Sequence, residues 1–164
     1  MSVKKYELLK DDYIEVSGVK LYRIRALIPI RSFLPFGIVE QGDLGGYIQC
    51  EENLSHEGKS WVFNNAKVYG EAKVSDNAVL LQKAEVCGKA KIYGKARIFG
   101  SAKVYGNAKV YGEAFVFDCA RIYGNAQVYD EAKAYGRANV YGKAVLYGRT
   151  RIFGSAKVYE EVIL

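Results

Sequence analysis

The chain has 164 residues, 24 Lys and Arg against 18 Asp and Glu, a single His, and half of its residues apolar, which suits one folded domain with a sizeable core. No run approaches the ~18 apolar residues of a membrane span, and the start, Met1-Ser2-Val3-Lys4-Lys5-Tyr6 before Glu7, carries no apolar leader. Three cysteines, Cys50, Cys87 and Cys119, lack the CxxC spacing of a zinc or dithiol site, so free thiols in a reducing, cytoplasmic compartment are expected.

The net charge of +6 is uneven. Residues 1–65 hold eight basic and nine acidic side chains, whereas residues 66–164 hold sixteen and nine. A basic surface of this kind favours anionic partners such as nucleotides, coenzyme A or acidic proteins.

In chain order, Tyr13-Ile-Glu-Val, Ser17-Gly18 and Val19-Lys-Leu-Tyr-Arg-Ile-Arg-Ala alternate apolar with polar about a two-residue turn, which predicts a β-hairpin. Residues 28–47 contain both prolines, Pro29 and Pro35, with Gly37, Gly42, Gly45 and Gly46, and read as a loop. Residues 1–47 therefore form a hairpin-and-loop cap, and residues 48–164 a repeat region.

From Ala66 onward Ala recurs every sixth residue to Ala144, followed in phase by Thr150 and Ala156, and two residues after each stands an aliphatic partner, from Val68 to Val158. Ala134 is the one small residue in that second series. Apolar spacings of two and then four fit a short strand with both residues on one face, not a helix. Gly or Asn follows where the chain must turn with positive φ. Such units coil, and successive coils pair as parallel strands about 4.8 Å apart. The fold class is all-β, a parallel β-helix with three units per coil. Counted backwards, the phase puts Ser60, Leu54 and Ile48 at the small position and Val62, His56 and Cys50 at the aliphatic one.

This phase resembles the hexapeptide motif of left-handed β-helix proteins, an aliphatic residue with a small one four positions later, over residues 60–161. The resemblance implies a left-handed coil and a homotrimer. The lead-in string Gly42-Asp-Leu-Gly-Gly-Tyr-Ile48, then Glu51 to Gly58 and Trp61-Val62, is similar to uncharacterised hexapeptide proteins of phages and bacteria that are identified as acyltransferases, a likeness that carries architecture and no established activity. One departure from the family is the position after the aliphatic residue, which is aromatic in most units.

Those aromatic residues alternate with the inward ones and should stack outward in ladders. One face carries Lys73, Lys91 and Lys109 beside Tyr93, Tyr111, Tyr129 and Tyr147, and a second carries Lys67, Lys103 and Arg121 beside Tyr105, Tyr123 and Tyr141. The third carries Val79, Leu81, Phe99, Phe115, Phe117, Tyr135 and Phe153 with Arg97, Lys133 and Arg151. It is too apolar for open water and predicts contact with another subunit or with the N-terminal segment.

These rows support a non-catalytic oligomer that holds an anionic, nucleotide-like molecule by charge and by ring stacking, in grooves between subunits. A phage-type protein sequestering a signalling nucleotide is one concrete form. Extended nucleic acid fits less well, because Glu71, Glu85, Glu113 and Glu131 interrupt the basic rows. No metal or cofactor motif is present. Two alternatives remain: coenzyme A-dependent acyl transfer with His56 as the only available imidazole base, and a polymerising scaffold that stacks through its C-terminal end, Val162-Ile163-Leu164.

Overall fold

The computed structural model describes residues 3–31 and 37–160. Its body is an all-β solenoid of about six turns with parallel stacked coils. The hairpin strands are β1 (Tyr6–Val16) and β2 (Val19–Ala26). A short antiparallel pair follows, β3 (Ile30–Arg31) with β4 (Ile38–Val39), and then β5 (Leu44–Ile48). From Trp61–Val62 (β6) to Lys157–Val158 (β22), two-residue strands begin every six residues.

The six-residue beat produces three faces. The first is a nine-stranded sheet in the order β1-β2-β5-β7-β10-β13-β16-β19-β22; the second joins β8, β11, β14, β17 and β20; the third joins β6, β9, β12, β15, β18 and β21. Each coil bonds the next in register, as Lys103 N–H donates to the Ala120 carbonyl at 3.0 Å and Tyr105 N–H to that of Ile122 at 2.9 Å. Ala102 and Val104, like their equivalents from Ala66 to Leu146, are 0–1 % exposed. Burying each Val, Ile or Leu contributes about 1.5–3 kcal/mol, while Ala keeps the corner of each coil narrow enough for close packing.

Every corner requires one residue with positive φ, and five described corners use a residue other than glycine: Asn64, Asp76, Gln82, Asp118 and Asp130, with φ between 55° and 59°. Their side chains offset that backbone cost by reaching to the next coil. Asp118 Oδ2 accepts from Gly136 N–H at 3.0 Å, Asp130 Oδ2 from Gly148 N–H at 2.9 Å, and Gln82 Oε1 from Gly100 N–H at 2.7 Å.

The hairpin forms as expected about Ser17-Gly18, but β1 runs further back, through a register shift between Leu9 and Tyr13. Residues 28–47 are not one loop, since they supply β3, β4 and most of β5; Pro35 lies outside the described residues. β2 pairs antiparallel with β5, and β5 pairs parallel with β7 (Lys67–Val68), so the cap extends the first face as additional strands.

The backward count holds for Ser60 and Val62 and fails before them. Ile48 pairs with Val68 and Leu54 with Val74, twenty residues apart, whereas Val62 pairs with Leu80, eighteen apart. Two extra residues therefore sit between Leu54 and Trp61. Ile48 and Leu54 take inward aliphatic places, and His56 falls in the enlarged corner. The preceding corner is organised by buried Asn53, which accepts from the Gln49 and Cys50 N–H groups at 3.1 and 3.0 Å and donates to the Ala72 carbonyl at 2.9 Å.

Candidate functional site

On the second face, Lys73, Lys91 and Lys109 stand directly opposite one another on β8, β11 and β14 (Lys73–Val74, Lys91–Ile92, Lys109–Val110). Beside them Tyr93 stacks on Tyr111 at 4.8 Å between ring centres, and Tyr111 on Tyr129 at 4.9 Å, with planes 2° and 6° apart. Tyr129 and Tyr147 continue the stack at 5.8 Å. Tyr111 also donates to Gln127 Oε1 at 3.2 Å, holding its ring upright. Burial pushes the Tyr93 and Tyr111 hydroxyls up, helped by the nearby Asp76 carboxylate for Tyr93 and by the adjoining tyrosines for Tyr111, so both remain neutral donors. At the foot of this face a groove of about 540 Å³ is lined by Cys50, Glu52 and Glu71 against Lys73, Lys89 and Lys91, with Glu71 4.0 Å from the Lys89 ammonium. Burial raises the Cys50 thiol, as does Glu52 beside it, which leaves it a poor nucleophile at neutral pH.

The first face carries the second predicted set. Tyr105 stacks on Tyr123 at 4.9 Å and Tyr123 on Tyr141 at 5.1 Å, with Lys103 opposite Arg121. Here Glu85 lies in the same row, 3.9 Å from the Lys103 ammonium and bonded to the Tyr69 hydroxyl, and Cys87 occupies the place of a ring. The positive charge is partly neutralised from within. The two predicted sets thus lie on different faces, and only on the second do three lysines stand in an unbroken column with no carboxylate between them.

The third face forms the expected aromatic ladder. Phe99 stacks on Phe117 at 4.9 Å, Phe117 on Tyr135 at 4.8 Å, and Tyr135 on Phe153 at 5.5 Å. Arg97 and Lys133 both lie over the Phe115 ring, at 5.0 and 5.1 Å, which satisfies part of its surface. Leu81, Phe99 and Phe117 are half-buried, Val79 is fully buried, and Phe153 is 59 % exposed. The hairpin joins the end of the first sheet and reaches the third face only at its β6 end, where Tyr6 of β1 meets Trp61 edge-on.

His56 is built into the cap. Its Nδ1 accepts from Lys5 N–H at 3.1 Å, its ring stacks on Tyr6 at 4.2 Å, and its buried Nε2 faces Glu51 Oε2 at 3.5 Å. Next to it the Lys5 ammonium donates to the Ser60 carbonyl and hydroxyl at 2.7 and 3.1 Å, and burial pushes it down to about 8. Tyr6 donates to the Leu54 carbonyl at 2.6 Å and meets Trp61 edge-on. Sequence reasoning missed Lys5 and Tyr6, whose partners lie about 50 residues away and leave no local pattern, and Asn53, whose local bonds to Gln49 and Cys50 are joined by one to Ala72 in the next coil.

Among the described residues no three His, Cys, Asp or Glu side chains gather to hold a metal ion, and no helix is long and apolar enough to cross a membrane. No known family model matches the chain, and no curated protein matches its sequence.

Proposed function

We propose that the protein is an oligomeric, non-catalytic binder of an anionic, ring-bearing small molecule of nucleotide type, held on the second face by the Lys73–Lys91–Lys109 column and the adjoining tyrosine stack. The observation that carries this reading is the in-register lysine column. Like charges directly opposite in a sheet repel by up to about 1 kcal/mol per pair, a cost that an anion spanning the column would reverse. Rings stacked at 4.8–4.9 Å beside it offer a flat, sequence-tolerant surface for a base. Phosphate-scale charge recognition by lysine and stacking by tyrosine together describe a nucleotide better than either a simple anion or an apolar ligand.

The aromatic ladder of the third face supplies the surface for self-association, in the trimer that the left-handed hexapeptide resemblance implies, with Leu81, Phe99, Phe115, Phe117, Tyr135 and Phe153 at the contact. Capture without turnover is favoured over acyl transfer because the one imidazole has both nitrogens engaged or enclosed in the cap. Sequestration of a signalling nucleotide, as the phage-like lead-in suggests, needs that kind of site.

Native mass spectrometry of protein purified from its host tests both parts together. A trimeric mass carrying a retained small anion is the expected result. A bare monomer, or a coenzyme A turnover that disappears in His56→Ala, contradicts the proposal.

A further inference from the structure

A base stacks on a ring only where a ring face is free. Within the second-face ladder Tyr111 lies between Tyr93 and Tyr129, at 4.8 and 4.9 Å, and Tyr129 lies between Tyr111 and Tyr147. A ligand ring needs about 3.5 Å on each side, so none enters between neighbours this close. The face of Tyr93 turned toward the N-terminal coils is different: among the described residues a ring stacks on Tyr93 from one side only.

The side chains beneath that face are small. Ser75 N–H donates to the Ile92 carbonyl at 3.0 Å and Ser55 N–H to the Val74 carbonyl at 2.9 Å, so Ser75 sits one coil below Tyr93 and Ser55 one coil below Ser75. Two successive places that hold rings further along the face thus hold serines, which leaves a slot two coils deep, about 10 Å. The other two ladders have no counterpart. Leu81 fills the place below Phe99, and half-buried Cys87 fills the place below Tyr105, with Tyr69 one coil further down.

The cations stand at the same end of the ladder. Residues two apart on a strand are about 6.6 Å apart, so a group reaching that far from a ring over Ser75 meets the lysine row at Lys73 and Lys91. Beside Tyr129 and Tyr147 that row holds Gln127 and Val145 instead. Of the carboxylates nearby, Asp76 accepts from Gly94 N–H at 3.0 Å, Glu71 lies 4.0 Å from Lys89, and Glu52 lines the groove beside Lys73. Lys91, flanked by lysine on both neighbouring strands, is the cation on which an anion gains most.

We propose that the slot over Ser75 and Ser55, closed above by Tyr93, takes the single base of a nucleoside phosphate, which completes the ladder as its missing rung while the phosphate lies between Lys73 and Lys91. The inference rests on the second-face reading and narrows it to one mononucleotide unit per chain, held by one ring face and two lysines, rather than a polyanion laid along the tyrosines.

Calorimetric titration of the full chain with adenosine monophosphate and with ribose phosphate, which lacks the ring, tests it. The nucleotide should bind more tightly by about tenfold or more, the margin that one stacked base supplies. Ser75→Tyr puts into this coil the residue that the later coils carry, and Tyr93→Leu takes away the ring face. In each variant the two compounds should bind alike, with circular dichroism unchanged. Retention of the margin in both variants overturns the slot, and loss of binding in Lys91→Gln alongside it leaves the lysine column standing. Adenosine monophosphate failing to bind while ADP-ribose or a cyclic dinucleotide binds overturns the slot alone; failure of all three overturns both.

Discussion

Asp130 Oδ2 accepts a hydrogen bond from the backbone N–H of Gly148, one coil further along, at 2.9 Å, while Asp130 itself turns the corner with φ of 55°. The side chain thus satisfies the next corner's N–H, and its carboxylate is charge-assisted in doing so. Asp130→Ala loses the acceptor and keeps a Cβ at positive φ, so it should cost about 1–2 kcal/mol. Asp130→Gly loses the same acceptor but relieves the backbone, and should cost less. Urea unfolding midpoints of the two variants check the order, and an Ala variant as stable as the parent would refute it.

The opposite case is Gly106, with φ of 66° and space for a Cβ only 2.9 Å from the Gly124 nitrogen. Alanine there asks the two corners to shift apart, as the corners that carry Asp118 and Asp130 accommodate a Cβ, but without their offsetting hydrogen bond to the next coil. Gly106→Ala should lower stability by more than about 1 kcal/mol, whereas Gly148→Ala, where nothing lies within 4 Å, should pay only for its positive φ. Equal losses at the two sites in thermal melts would count against close coil stacking as the cause.

Lys5 should make stability depend on pH in a defined window. Its folded value of about 8 lies below the ordinary 10.5 because of burial, so between these values the unfolded chain binds more protons and stability rises with pH; below about 8 that contribution is lost. Tyr6 and Tyr69 are pushed up, chiefly by burial, and act oppositely, since stability present below their ordinary value of 10.0 is lost as pH rises past it. Comparison with Lys5→Met isolates the lysine: the stability of the parent relative to the variant should grow by up to about 3 kcal/mol from pH 8 to 10.5. A constant difference across that window would show that the buried ammonium stays charged throughout.

Lys91 sits between Lys73 and Lys109 on adjacent strands. Replacing it with Gln removes two repulsive pairs, so Lys91→Gln should raise stability by about 0.5 kcal/mol or more at low salt and by little at high salt. The same change should weaken anion binding. A variant that loses stability would mean that the column is held by contacts other than those of an empty binding face.

The repeats were legible because one chemical demand recurs: a small residue and an aliphatic residue must fill each side of a narrow prism, and from Ala66 to Val158 nothing disturbs the phase. The ladders followed, since Tyr105 and Tyr123 occupy equivalent positions one coil apart. The lead-in was not legible, because two additional residues before Trp61 shift Ile48, Leu54 and His56 without breaking any visible pattern. Nor could spacing show that Lys5 and Tyr6 return to seal that coil, a contact that depends on the hairpin folding back. One signal was available and unused: Asp118 precedes Gly136, and Asp130 precedes Gly148, by one coil of eighteen residues, which marks them as corner acceptors.

Isothermal titration calorimetry of ADP-ribose and of a cyclic dinucleotide into the protein, beside the Lys73→Gln, Lys91→Gln, Lys109→Gln triple variant, addresses anion capture by the second face most directly. Saturable, stoichiometric uptake of one of these nucleotides that disappears in the triple variant is the predicted result. No uptake of either compound, or uptake that the triple variant retains unchanged, would contradict it.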